Sequence, residues 1–452
     1  MRIICLNVLV IALLTGCSGR ASKDGWTYLF NGKDLTGWMQ LNGDAEYKVE
    51  NREIIGISKA DTPNSFLCTE RDYGDFILEF ELMVDTALNS GVQIRSHSLP
   101  EYRDGRVHGY QVEIDPSPRG WSAGIYDEGR YGWLYPVTPF NPAAVATFKN
   151  HEWNHYRVEA IGNSIRTWLN GVPVADLLAD FDDSGFIALQ VHAVNVKTKP
   201  WTEGTTVRWR NIRIKTEKLE ANRKTDTPPI CQMNVIPNYL SDREKTEGWR
   251  LLFDGKTFDG WRGALRDAMP DRGWTVKDGA IEVLPRDESG GGSDIVSVDQ
   301  FGNFELAFDF RLTKGANSGV KYYVTENVYD RGALGLEYQV LDDVNHPDAK
   351  MGINGNRTIS SLYDIKPSSG TRFNGIDQWN TGRVVAKNNH VEHWLNNIKV
   401  LEYERGSADY KERIAESKFN KMNNFGEASE GHILLQYHND RVWFRNIKIR
   451  NL

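Results

Sequence analysis

NFELAFDFRLTKGANSGVKYYV, Asn303 to Val324, reads as a strand of period two at each end. Phe304, Leu306, Phe308 and Phe310 share one face, opposite Glu305, Ala307, Asp309 and Arg311. Further on, Val320, Tyr322 and Val324 oppose Lys321 and Tyr323. The same text stands 228 residues earlier as DFILEFELMVDTALNSGVQIR, from Asp75 to Arg95. There Phe76, Leu78, Phe80 and Leu82 oppose Ile77, Glu79, Glu81 and Met83, while Gln93 and Arg95 oppose Val92 and Ile94. One greasy and one polar face, written twice, predict β-sheets that each bury one side.

Working outward, the repeat extends along the chain. GWTYLFNGKDLTGW at Gly25 returns as GWRLLFDGKTFDGW at Gly248; Trp153-Asn154 matches Trp379-Asn380; WLN at Trp168 matches WLN at Trp394; RNIRI at Arg210 matches RNIKI at Arg445. Order is preserved throughout, so residues 25–215 and 248–452 are two copies of one domain. The segment 216–247 is charged, carries Pro228 and Pro229, and reads as a linker. Turn signals such as Asn31-Gly32, Asp254-Gly255, Asp278-Gly279 and Asn170-Gly171 separate short strands, and no long helical pattern appears. The expected fold is all-β, two tandem sandwiches of two sheets each. Short helices are predicted only over Asn141–Lys149 and Ser407–Ser417, the latter capped by Ser407. Trp26, Trp38, Trp249 and Trp261 are expected to pack at sandwich edges.

Composition agrees. Of 452 residues, 40% are hydrophobic and 25% charged, an ordinary globular mixture with room for two cores. A net charge of −7 argues against nucleic acid as a partner. At the N-terminus Arg2, an apolar run from Ile3 to Leu14 and the tetrapeptide Leu14-Thr15-Gly16-Cys17 form a secretion signal, residues 1–17, whose end resembles the bacterial lipobox. That resemblance implies lipid on Cys17, a membrane anchor, and a place at the cell envelope. Cys5 leaves with the signal, so Cys68 and Cys231 are too few for a disulfide framework.

The polar faces carry the chemistry. In GLEYQVLDD, Gly335 to Asp343, Glu337 and Gln339 oppose Leu336, Tyr338 and Val340; in GYQVEID at Gly109, Gln111 and Glu113 oppose Tyr110, Val112 and Ile114. Acid and amide are thus exchanged between copies. In GHILLQYH at Gly431, Gln436 and His438 share a face, as do Gln190 and His192 in the first copy. Three such strands would gather a cation or phenol, an acid–amide pair and a Gln-x-His pair, a set suited to sugar hydroxyls.

With these residues assembled, both copies resemble the 3-keto-disaccharide hydrolase domain family, through LFDGK with its following GW, NSGV, GLEYQVLDD followed by Asn345-His346-Pro347, SLYDIKP at Ser361, and GHILLQYH. The resemblance implies a concanavalin A-like jelly roll and cleavage of glycosides oxidised at carbon 3 of the sugar ring. The first copy departs from it: no Asn-His-Pro follows its acid strand, and SAGIYDEGRYGWLYP replaces SSLYDIKPSSG.

A ketone at carbon 3 acidifies the proton on carbon 2, so a base, a holder for the enolate oxygen and an acid for the leaving group are required. The second copy offers Glu337 or His438 as base, Lys321 as oxyanion partner, and Asp342, Asp343 and His346 as further acids or ligands. The first offers Glu113, His192, Arg95 and Asp115. Gln339, Gln436, Tyr323, Gln111, Gln93, Gln190, Tyr126 and Trp133 are the sugar-binding candidates. The carboxylate–imidazole set could instead hold a divalent metal, which spacing does not establish. A tandem carbohydrate-binding protein without turnover is the competing reading.

Overall fold

The computed structural model describes residues 24–197, 202, 204–225, 230–328 and 332–452. The signal, the lipobox with Cys17, and Pro228-Pro229 lie outside the described residues. Two compact units divide the chain between Val235 and Ile236.

Each unit is a jelly-roll sandwich. In the first, a nine-stranded sheet faces a seven-stranded one; in the second, an eight-stranded sheet faces one of five strands. The alternation decides what lies between them. Phe76, Leu78, Phe80 and Leu82 from one sheet meet Val92, Ile94, Tyr110, Val112, Ile187 and Leu189 from the other. The second unit repeats this with Phe304, Leu306, Phe308 and Phe310 against Val320, Tyr322, Leu336, Tyr338, Val340 and Ile433.

Many of the repeated motifs turn out to be backbone devices. The Trp38 indole donates to the Leu29 carbonyl (3.0 Å) and Trp261 to that of Leu252 (2.5 Å). Asn170 and Asn396 sit at φ 49° and 47°, and each takes an N–H from the neighbouring strand, of His155 and Thr381. Asn211 and Asn446, at φ 52° and 51°, form bulges where the register slips. The short polar Asn side chain tolerates this left-handed backbone where β-branched residues would strain it.

Two expectations change. No helix spans 141–149: one turn covers Val137–Phe140 and a 3₁₀ turn covers Pro142–Ala144. Asn141 is drawn into an extended conformation (φ −146°) because its amide donates to the Pro173 and Val174 carbonyls. The helix Ala408–Glu416 does form, its first turn capped by the Ser407 hydroxyl on the Tyr410 N–H. The segment 216–247 carries structure of its own: Met233–Asn234 pairs with the strand Val172–Leu178, and the helix Asp242–Thr246 has a Ser241/Glu244 capping box. Among the described residues, Cys68 and Cys231 form no disulfide.

The sheets differ at one edge. In the second unit the smaller sheet runs Trp261–Gly263, Ile295–Phe301, Gly431–Leu435, Asn317–Glu326, Ala333–Leu341, and beyond that strand only isolated bridges follow among the described residues, Tyr338 to Leu362 and Leu362 to Lys366. In the first, two more strands, Ile125–Glu128 and Gly132–Tyr135, extend beyond the equivalent His108–Ile114. These strands are the stretch where the first copy's sequence departs.

Candidate functional site

The strand Asn317–Glu326 runs antiparallel to Ala333–Leu341, setting Lys321 opposite Glu337 and Gly319 opposite Gln339. Because the neighbouring Val320, Tyr322, Leu336 and Tyr338 fill the core, Lys321, Glu337 and Gln339 must stand on the other face. Gly319 leaves the space for this: a Cβ there would lie 2.4 Å from Glu337 Oε1. Lys321 Nζ is 3.8 Å from Glu337 Oε2 and 3.9 Å from Asp294 Oδ2. With its amide turned to satisfy both ends, Gln339 donates to the Ser318 carbonyl (3.1 Å) and to Glu337 Oε1 (3.2 Å).

Glu337 is 6% exposed, and burial pushes its pKa above the usual carboxylate range, against the pull of Lys321 and then Lys418. Crowding lowers the pKa of Lys418 in turn, opposed by Glu337 and Asp364, and its ammonium lies 4.0 Å from the Tyr363 ring. Neither Asp294 nor Lys418 was legible in the sequence. Asp294 ends a run of glycines, and Lys418 follows a helix that looks like an insertion.

Beside this pair stand two imidazoles. His346 caps the turn Pro347–Lys350 by accepting the Asp348 N–H at Nδ1 (3.2 Å), and its ring lies 5.9 Å from that of His438. His438 Nδ1 is 3.7 Å from Asp440 Oδ2. Asp440 holds the His438 pKa above its ordinary value, with Glu337 adding to the effect. One donor atom from each of His346, His438 and Asp440 falls within a 4.8 Å span, which suits a divalent cation.

Other candidates are placed differently. Tyr323 does not share the face of Lys321. The ladder slips between Tyr322 and Thr325, Tyr323 takes φ 52°, and its ring turns into the core, where the hydroxyl donates to the Gly302 carbonyl. Arg95 stands at the equivalent bulge, at φ 47°, and its buried guanidinium donates to the Gly74 and Gly162 carbonyls and Asp75. Strict alternation through Gln93–Arg95 and Lys321–Tyr323 is therefore wrong at the last residue of each, because a bulge inverts it. Arg95 is a structural cation, with no oxyanion to hold.

Asp342 is spent on its own loop, accepting from the backbone N–H groups of Gly315, Val344 and Asn345 and the Asn345 amide. Asp343 accepts the Ile359 N–H (2.7 Å), and burial pushes its pKa up to about 6. Asp115 binds Arg119 (2.7 Å) and the Ser117 N–H, which hold its pKa down against burial. His192 contacts its neighbour's carbonyl, that of Ala193, and Val194 occupies the place that Asp440 has relative to His438. Gln436 Oε1 is buried without a hydrogen-bond partner.

In the first unit the acid and amide are indeed exchanged on the lattice. Gly91 faces Glu113 and Gln93 faces Gln111, where the second unit has Gly319 facing Gln339 and Lys321 facing Glu337. Glu113 accepts from Asn89 (2.8 Å) and Gln111 (2.9 Å), while Gln93 and Gln190 both donate to Gln111 Oε1, at 2.6 and 2.9 Å. Burial pushes the Glu113 pKa up to about 7, against Asn89, Gln111 and Arg119. Tyr126 pairs with Gln111 across the ladder and Trp133 with Tyr126, so both aromatics border the amides.

Comparison with known proteins finds one family in both units. The 3-keto-alpha-glucoside-1,2-lyase-like domain matches residues 25–215 and again 248–450. A 3-keto-disaccharide hydrolase of Bacteroides thetaiotaomicron is 36% identical over 231 residues, which is 46% of this chain and 79% of that one. The crystal structure of a candidate glycosyl hydrolase from Parabacteroides distasonis is 32% identical, covering 48% of this chain and all of that one, at a TM-score of 0.42. Carbohydrate binding module CBM66 of Bacillus subtilis is 17% identical over 40% of this chain and 96% of that one, at a TM-score of 0.28.

Proposed function

Since the chain belongs to the 3-keto-alpha-glucoside-1,2-lyase-like domain family through both of its units, a family and relatives that mark it as glycoside-acting, we propose that it cleaves glycosides oxidised at carbon 3, and that the second unit performs the chemistry. The observation that carries this reading is the buried Glu337 carboxylate held 3.8 Å from Lys321 and against Gln339. A carboxylate whose pKa is raised by burial is a stronger base once ionised. Glu337 takes the proton from carbon 2; the C–H electron pair becomes the enolate, whose oxygen the Lys321 ammonium stabilises. The enolate then re-forms the ketone as the carbon 1–oxygen bond breaks, and the leaving oxygen takes a proton from His438, which Asp440 keeps protonated. Addition of water to the resulting alkene gives net hydrolysis. In a metal-loaded protein His346, His438 and Asp440 would instead hold a divalent cation, with His438 neutral, and the metal would polarise the ketone.

Incubation with a 3-keto-glucoside and its unoxidised parent, with and without chelator, tests the reading. Turnover is expected for the keto-glucoside alone, and Glu337→Gln should lower kcat by roughly 10²–10⁴. Turnover of the parent alone would sink the elimination. The lipobox-like tetrapeptide Leu14-Thr15-Gly16-Cys17 supports a further part of this reading, lipid on Cys17 and a place at the bacterial cell envelope. Labelled palmitate should enter the protein and be lost in Cys17→Ser; label retained in that variant would refute the anchor.

A further inference from the structure

The first unit has kept the scaffold and exchanged the chemistry. Gln93 stands where Lys321 supplies the cation, and Val194 where Asp440 supports His438. Arg119 approaches Glu113 (3.8 Å), but its Nε is tied to Asp115 and its guanidinium lies on two indoles. What it gains is aromatic. The Trp121 and Trp133 rings meet edge to face at 4.6 Å, Tyr126 lies 5.2 Å from Trp133, and all three are partly buried and keep some exposed surface. Among the described residues, the strand that carries Trp133 has no counterpart strand in the second unit, whereas Tyr363 of a bridged segment stands there in the place of Tyr126.

We propose that the first unit is a recognition site for neutral, unoxidised gluco-oligosaccharides, with Trp133, Trp121 and Tyr126 as the stacking platform and Glu113, Gln111 and Asn89 reading hydroxyl groups. An aromatic face packs against the C–H face of a pyranose, and amides offer both donors and acceptors to its hydroxyls. This unit lacks the lysine and the histidine–aspartate pair that the second unit would use to hold an enolate oxygen and to protonate a leaving group. An amide-rich lattice around Glu113 is matched to the hydroxyl groups of a sugar before oxidation, so the unit would hold glycan on the same chain as the second unit's chemistry. The class of sugar rests on the proposed function; the presence of a binding site does not.

The test uses the full chain carrying Glu337→Gln, titrated calorimetrically with maltohexaose, cellohexaose and laminarihexaose. At least one should bind, Trp133→Ala should weaken it about tenfold or more, and Trp133→Tyr should restore much of the loss. Failure of all three sugars to bind, or an unchanged affinity in Trp133→Ala, overturns the proposal. So does residual cleavage of a 3-keto-glucoside by the Glu337→Gln protein that Glu113→Gln then abolishes, since the first unit would be catalytic. If the unaltered protein cleaves no 3-keto-glucoside, the elimination chemistry falls while the calorimetry still decides for or against the binding site.

Discussion

Lys321 acts on Glu337 in two ways whose signs differ. Its charge lowers the carboxyl pKa that burial raises, and so weakens the base; in the proposed elimination the same charge would steady the enolate that the base creates. Replacing it as in Lys321→Met should lower kcat by roughly 10–100-fold and move the acidic limb of kcat/KM to higher pH, because Glu337 then ionises later. An acidic limb that stayed in place would mean that Glu337 is not the group titrating there. In the proposed mechanism the opposite limb would belong to His438. Asp440 raises its pKa, so the protonated acid persists to higher pH; Asp440→Asn should bring the alkaline loss of activity to lower pH, which a pH–rate profile would show.

The bulge is the element that sorts the site, and it needs two partners. At Tyr323 and Arg95 the chain takes left-handed φ, and a glycine on the adjoining strand lets the backbones close up: a Cβ on Gly431 would lie 2.4 Å from the Tyr323 carbonyl carbon, and one on Gly185 2.5 Å from that of Arg95. Gly431→Ala should therefore destabilise the second unit by roughly 1–3 kcal/mol through overpacking, measurable by denaturant unfolding. It should also impair cleavage, since Lys321 lies two residues from the bulge. This element marks the limit of what was legible in sequence. Period-two alternation placed Glu337, Gln339, Lys321, Gln111 and Glu113 together, because a sandwich core enforces which side each residue takes. It misplaced Tyr323 and Arg95, since one extra residue in a ladder inverts every later side chain and leaves no composition signal. It could not find Asp294 or Lys418 either, which arrive from loops that carry no period. The repeat held one overlooked clue: Gly185 and Gly431 match in the alignment, as do positions 95 and 323.

At the scale of the whole molecule, two cores of similar construction lie in separate units, so unfolding need not be one transition. The buried Glu113 offers a way to assign the transitions. Its pKa rises from 4.5 to about 7 on folding, so below about pH 4.5 the group is protonated in both states and contributes no penalty. Between those values the unfolded chain releases a proton that the folded unit retains, and stability falls as pH rises. Above about pH 7 the loss is complete, at roughly 3 kcal/mol for a shift of this size. Glu113→Gln removes the titration. Relative to the unaltered protein, the first unit's transition should therefore gain stability progressively from about pH 4.5 to 7 and hold that gain above. Glu113 lies in the first unit's own hydrogen-bond lattice, so the second unit's transition should not move. Calorimetric scans of both proteins across that range check this: a variant that shifts both transitions together would show the units to be energetically coupled, and one that shifts neither would show that Glu113 is ionised in the fold at little cost.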